Sequence, residues 1–383
     1  MKAKRFALPL LALLFLALCG CGGGGYYKYD TLAYFNAPCR WAFSRKDESA
    51  EKEVWRELTS LFSEVENALS LSVETSDLSR FNRASAGERV EISIHSYDVL
   101  MAAMRMYRRT EGAFNPAAGR YVDLWGFSPR VLNGDTEKLP YDRAEASVPD
   151  SKYLTAFSAL LDFSALQLSN EDGRFYATKP NSVVLLDGVE YTMQLDLGGI
   201  AKGYACDKGA ELVLRNGYNV GFLSVGQSSM RLFSREGNDD WQIEVNSPRT
   251  EIFKDRYLSA KAKETGVSTS GDYENYFMLE GRRYCHIINP FTGYPVNASP
   301  IEDGSGVVSA SVFGVSALEG DAISTAICVK GAAWAKSFLE EYYPAAKVLI
   351  TSYNARENRY FVTTNFEEGQ ISSYADGLSV EAL

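Results

Sequence analysis

Eleven residues, Gln194-Leu-Asp-Leu-Gly-Gly-Ile-Ala-Lys-Gly-Tyr204, narrow the folds open to this chain more than any other stretch. Upstream, Val189 to Leu197 alternates apolar and polar side chains, the pattern of a half-buried strand. Downstream, Ala201 to Asn216 reads as a helix, with Ala201, Ala205, Leu212 and Val213 along one side and Gly217 as its stop. A strand that passes through Gly198 and Gly199 into a helix leaves backbone N–H groups facing whatever lies above the turn, and the helix dipole favours an anion there. Lys202 can bring a cation to the same anion, and Asp196 can hold a hydroxyl or an amine. These residues fit a phosphate or nucleotide site; they fit equally well a tight strand-helix connection with a surface lysine.

The chain has 383 residues, 46% of them hydrophobic, enough for one large or two moderate units with a proper core. Residues 1–20 stand apart from that core. Lys2, Lys4 and Arg5 precede an apolar run from Phe6 to Leu18, too short to span a bilayer as a mature helix and typical of an export signal. Leu18-Cys-Gly-Cys21 resembles the lipobox of bacterial lipoproteins, which makes Cys21 the lipidated residue. Residues 21–30, with Gly22 to Gly25, then form a flexible leash. That reading implies an anchor in the bacterial cell membrane, with the domain on the periplasmic, extracytoplasmic side. Removal of the signal takes three cations, so the net charge goes from −10 to −13. Such an acidic balance argues against a nucleic-acid partner, and a phosphate ligand would need a local cation or a divalent metal. Cys39, Cys206, Cys285 and Cys328 remain without a Cys-x-x-Cys pair. With His95 and His286 as the sole histidines, zinc is disfavoured; disulfides are permitted, and their pairing is not readable.

Along the chain, Cys39 to Phe43 reads as the first strand. Ser49 to Leu69 is an amphipathic helix with Val54, Leu58, Leu61 and Val65 at helical spacing. Thr75 to Asn82 is a polar turn, and Ser96 to Glu111 a second helix. Gly112-Ala-Phe-Asn-Pro116 opens a loop anchored by Phe114, Trp125 and Phe127. Leu132 to Lys152 is a charged connection. Val220 to Val225 returns as a strand, Trp241 to Val245 is another, and Gly266 to Tyr273 is turn-rich. Tyr276–Leu279 and Arg283–Ile288 make a hairpin that carries His286. After a strand at Val307 to Val315, Ala317 to Lys330 is a helix on which Asp321 and Thr325, four apart, share one face. Hard cations take oxygen donors of that kind; an acid near a helix start beside a packed threonine is the simpler explanation of the same pair.

Seven of these segments stand in one order: Leu78-Ser-Arg-Phe-Asn82, Gly112-Ala-Phe-Asn115, Leu124-Trp-Gly126, Asp196-Leu-Gly-Gly-Ile-Ala-Lys-Gly203, Ser270-Gly-Asp272, His286-Ile-Ile-Asn-Pro-x-Thr-Gly293 and Asp321-Ala-Ile-Ser-Thr325. Together they resemble the ApbE family, the FAD:protein FMN transferases, from about Phe35 to about Thr364. The resemblance implies an α+β fold over residues 31–368, two-lobed and T-fold-like, with FAD and magnesium in the cleft between lobes. It implies cleavage of FAD and transfer of FMN to a threonine or serine of an exported flavoprotein, such as a subunit of an ion-pumping redox complex. By the same likeness Ala113, Phe114 and Asn115 would line the flavin nucleotide, Asp196 would bind the adenosine part, Lys202 would meet the cofactor, and Phe35, Ser72 and Ile287 would be further cofactor-binding positions. Asp321, Thr325 and the Gly199 carbonyl would hold the metal, and His286 would help activate the acceptor hydroxyl. Ser72 stands where members carry an aromatic that covers the cofactor, and Phe35-Asn-Ala37 stands for the family's first-strand segment.

Without that aromatic cover, water could reach the pyrophosphate, so an FAD pyrophosphatase releasing FMN and AMP is an alternative. A flavin-binding lipoprotein without turnover is another. Residues 369–383 read as a flexible tail.

Overall fold

The structure, a computed structural model, describes residues 26–35, 37–44, 47–128, 147–235, 240–250, 252–253, 256–297, 305–373, 375 and 377–383. The signal segment, Cys21, the glycine leash and most of the charged connection after Leu132 lie outside the described residues.

The first half of the chain runs β1 (Tyr26–Tyr34), β2 (Ala37–Ser44), α1 (Glu48–Leu69), α2 (Asp77–Arg83), β3 (Arg89–Ile92), α3 (Ile94–Arg109), α4 (Gly119–Leu124), α5 (Ser151–Phe157), β4 (Gln167–Glu171), β5 (Arg174–Thr178), β6 (Val183–Leu186), β7 (Val189–Thr192) and α6 (Ala201–Arg215). The second half runs β8 (Gly221–Val225), β9 (Ser229–Leu232), β10 (Trp241–Asn246), β11 (Arg256–Ala262), β12 (Thr265–Gly271), β13 (Tyr276–Leu279), β14 (Arg282–Cys285), β15 (Ser305–Val315), α7 (Ala317–Lys330), α8 (Ala332–Tyr342), β16 (Lys347–Asn354), β17 (Arg359–Thr364), β18 (Ile371–Ser373) and β19 (Ser379–Ala382).

Among the described residues, nine strands form one sheet in the order β1-β2-β8-β9-β12-β15-β16-β17-β19. Strand periodicity divides its side chains between two cores. Trp41, Phe43, Leu223, Val312, Val348 and Ile350 pack with residues of α1, α6 and α7. Their neighbours Ala42, Phe222, Phe313 and Leu349 pack with Tyr257 and Leu258 of the β10-β11-β18 sheet. A third core, built from Tyr121, Trp125, Phe127, Leu154, Phe157, Phe277 and Tyr284, belongs to a second, smaller lobe. The fold is α+β and two-lobed. Among the described residues no helix is long and apolar enough to cross a membrane.

Four local expectations change. The Gly266–Tyr273 stretch is not a turn but strand β12. Its small residues are a packing requirement: a Cβ on Gly266 would collide with the Val315 carbonyl, and Ser268 donates to Ala317 O at 2.8 Å. The polar turn before Asn82 contains helix α2, started by the Ser76 hydroxyl, which accepts from Ser79 N–H. The strand ahead of the Gly-Gly turn stops at Thr192. Beyond it the Asn82 side chain replaces a strand partner, accepting from Leu195 N–H and donating to Leu195 O, both at 2.8 Å. Finally, the segment read as a flexible tail contains two strands: β18 pairs with β11, and β19 adds parallel to β17, with Leu383 N–H donating to Thr364 O. An exposed sheet edge is a template that an extended segment can satisfy.

Candidate active site

The site begins with helix α7. Ser316 caps it, accepting from Glu319 N–H, and Asp207 of α6 accepts from the first two amides, Ala317 at 3.0 Å and Leu318 at 2.9 Å. These bonds fix α7 against α6. The approach is close: a Cβ on Gly203 would collide with the Ala317 carbonyl, so glycine is needed there. Asp321 then points back at α6, where its Oδ2 accepts from Gly203 N–H at 2.7 Å, and its Oδ1 accepts from Ser229 Oγ at 2.7 Å.

That arrangement revises the expectation for the glycine turn. The Gly198 amide donates to Asp196 Oδ1, the Ile200 and Ala201 amides to Leu197 O, and the Gly203 amide to Asp321. Most of the turn's donors are therefore satisfied by the protein. The anion at the start of α6 is Asp321 itself. One consequence favours a cation: the Gly203 amide is diverted from the helical partner four residues back, and among the described residues nothing donates to the Gly199 carbonyl.

A cleft of about 460 Å³ lies over these groups. Phe35, Ala113, Phe114, Asn115, Asp196, Gly199, Lys202, His286, Ile287, Asp321 and Thr325 all line it. Ser72 does not. It sits in the turn after α1, its amide donating to Ser70 Oγ at 3.1 Å. Phe35 stands in the left-handed region with φ 55°, its amide donating to Glu66 Oε1 at 2.7 Å. Asn115 is held by its own bonds, donating to Leu161 O and accepting from Ala117 N–H, and shapes the wall. Gly199 fits between the Phe114 ring and the Thr325 hydroxyl, 3.3 and 3.4 Å from where its Cβ would stand.

Electrostatics tie these residues into one site. Burial pushes the Asp321 carboxyl up to about 6, against the opposing pull of Lys202 and its hydrogen bonds. Burial, then Lys202, pushes the His286 imidazole down to about 4. Asp196 is raised by burial and lowered by Gly198 N–H and Lys202. One lysine thus acts on all three groups, and its own hydrogen bond, to Gly198 O at 3.5 Å, is weak. The His286 amide donates to Asn275 O at 2.9 Å, and its Nδ1 lies 3.2 Å from the same carbonyl. A carbonyl can only accept, so with the ring assigned this way Nδ1 carries the proton and Nε2 keeps a lone pair.

The residues fit a hard cation. Asp321 is a buried carboxylate that makes no salt bridge with a described residue; its oxygens accept from Gly203 N–H and Ser229 Oγ, and a carboxylate's lone-pair sites leave capacity for a cation. Thr325 donates its proton to Asp321 O at 2.9 Å, leaving hydroxyl lone pairs. The Gly199 carbonyl is the third oxygen, and oxygen-only donor sets suit magnesium. No described group of three or more His, Cys, Asp or Glu residues suits a metal, so this set rests on mixed oxygens. The four remaining cysteines are free thiols, buried away from solvent.

Sequence reasoning missed Glu66, Asn82, Ser229, Glu274 and Asn275. Asn82 stood within a quoted motif without a role. Ser229 and Asn275 act through one hydroxyl and one backbone carbonyl, which pattern does not reveal.

Fold and cleft together define an α+β protein of two lobes whose interface gathers one lysine, one imidazole and three oxygen donors. The chain belongs to the ApbE family, whose model matches residues 35–350. A Treponema pallidum protein named FAD:protein FMN transferase is 28% identical over 346 residues, covering 87% of this chain and 88% of its own. The protein of that name from Escherichia coli K12 is 30% identical over 273 residues, covering 70% and 68%. Among solved structures, the ApbE protein of Thermotoga maritima superposes with a TM-score of 0.69 at 26% identity, covering 88% of this chain and 96% of that one.

Proposed function

We propose that this chain is a magnesium-dependent FAD:protein FMN transferase acting on a serine or threonine of an exported flavoprotein. The observation that carries the proposal is the convergence on one cleft of Lys202, the oxygens of Asp321, Thr325 and Gly199, and an imidazole whose Nε2 is open. The name borne by the relatives supports the same reading.

In this reading the FAD diphosphate lies against Lys202, which offsets its negative charge. Asp321, Thr325 and the Gly199 carbonyl would hold magnesium, which when bound would supply Lewis-acid stabilisation of charge on the diphosphate. His286 is neutral at pH 7 and takes the proton of the acceptor hydroxyl at Nε2, while Asn275 holds Nδ1–H and so fixes the tautomer. The acceptor oxygen bonds to the phosphorus of the FMN half, the bond from that phosphorus to the bridging oxygen breaks, and AMP leaves with that oxygen. Phe35, Phe114 and Ile287 provide apolar walls that limit water at the reacting phosphorus.

The test is incubation of the full chain with FAD and magnesium, with and without exported proteins of the source cell, followed by mass spectrometry. Protein-linked FMN with one AMP released per FMN supports transfer. Free FMN and AMP in equal amounts, with no labelled protein, make it a pyrophosphatase; unchanged FAD makes it a carrier.

We also propose that the mature chain begins at a lipidated Cys21 and works outside the bacterial cell membrane, tethered by its glycine leash. Palmitate labelling should be lost in Cys21→Ala; label that persists in that variant contradicts the anchor.

A further inference from the structure

A second, smaller recess opens beside the cleft. It measures about 70 Å³ and is floored by Met230, Ile243, Val245, Val267 and Phe313. Four residues, Gln227, Ser228, Thr269 and Glu274, line both cavities and form a saddle between them. We propose that this recess seats a small apolar side chain of the acceptor polypeptide, next to the hydroxyl that receives FMN. The proposal rests on the transferase reading.

Three observations carry it. First, the saddle is joined directly to the groups that act on the hydroxyl. Glu274 precedes Asn275, whose carbonyl holds His286, and Thr269 precedes Ser270, whose hydroxyl lies 3.1 Å from Thr325 Oγ1. The recess and the cleft therefore share a rim, and that rim is continuous along the chain with the residues that hold His286 and meet Thr325.

Second, the turn that bears Glu274 is held firmly. Arg249 donates twice to Asp272, at 2.7 and 2.8 Å, and both side chains are buried. Asn297 adds a donor to the same carboxylate at 3.1 Å. A rim fixed in this way can set the register of a bound segment.

Third, the chemistry of the recess excludes the other substrate. Its floor is apolar, and Glu244 and Glu274 stand in its lining. The backbone N–H groups of a polypeptide can donate to Glu274, whereas a diphosphate carries only acceptors. The volume admits a short aliphatic side chain and leaves no room for a nucleotide ring.

The test uses the full chain and the exported protein found to carry FMN in the experiment above. Ile243→Trp fills the recess, and Ile243→Ala enlarges it; neither touches the cleft lining. In Ile243→Trp, kcat/KM for the acceptor should fall by about tenfold or more, the scale on which a hydrophobic pocket separates side chains, while FAD affinity stays at the wild-type value. An acceptor whose small apolar residue beside the labelled hydroxyl is enlarged to leucine should be poor for wild type and regain activity with Ile243→Ala. Wild-type transfer by Ile243→Trp overturns the proposal. So does a parallel loss of FAD affinity and transfer in Ile243→Trp without rescue of the enlarged acceptor by Ile243→Ala. If wild type labels no protein at all, the transferase reading itself fails.

Discussion

The backbone amide of Gly203 donates to Oδ2 of Asp321 at 2.7 Å, across the contact between α6 and α7. That single bond does two things. It satisfies one oxygen of a buried carboxylate, and it leaves the Gly199 carbonyl without its helical donor. The two oxygens thereby face one cleft, where the Thr325 hydroxyl joins them. Helix α6 contributes Lys202 to the same place, so this lysine and the oxygens proposed to hold magnesium are fixed by one helix pair.

Asp321→Asn tests the metal site without relying on catalysis. The amide can keep both partners, because its oxygen accepts from Gly203 N–H and the Ser229 hydroxyl can turn to accept. A raised carboxyl pKa means that ionising Asp321 costs the metal-free fold stability as pH rises through the window from about 4 to about 6. At pH 7.5, without magnesium, the variant should therefore melt no lower than wild type. Magnesium should raise the Tm of wild type and not of the variant, and transfer should vanish. An equal magnesium-induced shift in both proteins would remove Asp321 from the site.

The pH profile should lack a histidine limb near neutrality. His286 titrates at about 4, below its ordinary value of 6.5, so the folded state binds fewer protons across that interval. Its stability contribution is complete above pH 6.5 and is lost as pH falls toward 4. With saturating magnesium, kcat/KM for the acceptor should show no inflection from His286 between pH 6 and 8. His286→Ala should lower transfer by about 10²–10⁴ with FAD binding retained.

Lys202→Met should raise the pKa of both His286 and Asp321, since the lysine holds both down. Following the His286 ring protons by NMR should place its midpoint above about 4. Removing a charge-assisted contact to the diphosphate should weaken FAD binding roughly 10- to 100-fold. An unchanged His286 titration would place Lys202 away from the imidazole.

Arg249→Met strands the buried Asp272 carboxylate and should cost about 3–5 kcal/mol in urea denaturation. Pairing it with Asp272→Leu should recover most of that loss, because two apolar groups need no partner. Equal instability of the single and double variants would contradict the buried-pair account.

How far the sequence foretold this arrangement depends on the kind of interaction. Helix α7 was legible to the residue, with Asp321 and Thr325 one turn apart on one face, because helical periodicity is local. Helices α1, α3 and α6 followed for the same reason, with ends shifted by one or two residues. Strand β12 was hidden because its glycines and serines suit a close-packed helix as well as a turn. The extended segment at Leu195 was misread because a side chain, Asn82, does the work of a partner strand from 113 residues away. Ser72 failed for a different reason: a place marked by an aromatic in relatives holds no cleft residue here. The glycine turn stood open in the sequence between an anion site and a tight strand-helix connection. Its amides looked available to a ligand, but Asp196 and Asp321 satisfy two of them, and no pattern along the chain records that Asp321 folds back on Gly203.

The most direct measurement follows one acceptor protein by intact mass after incubation with FAD, magnesium and either wild type or His286→Ala. The account predicts that wild type adds one FMN by a phosphoester bond to a serine or threonine and releases one AMP, while His286→Ala leaves the acceptor nearly unmodified. An acceptor of unchanged mass alongside free FMN and AMP, or equal labelling by both proteins, would contradict it.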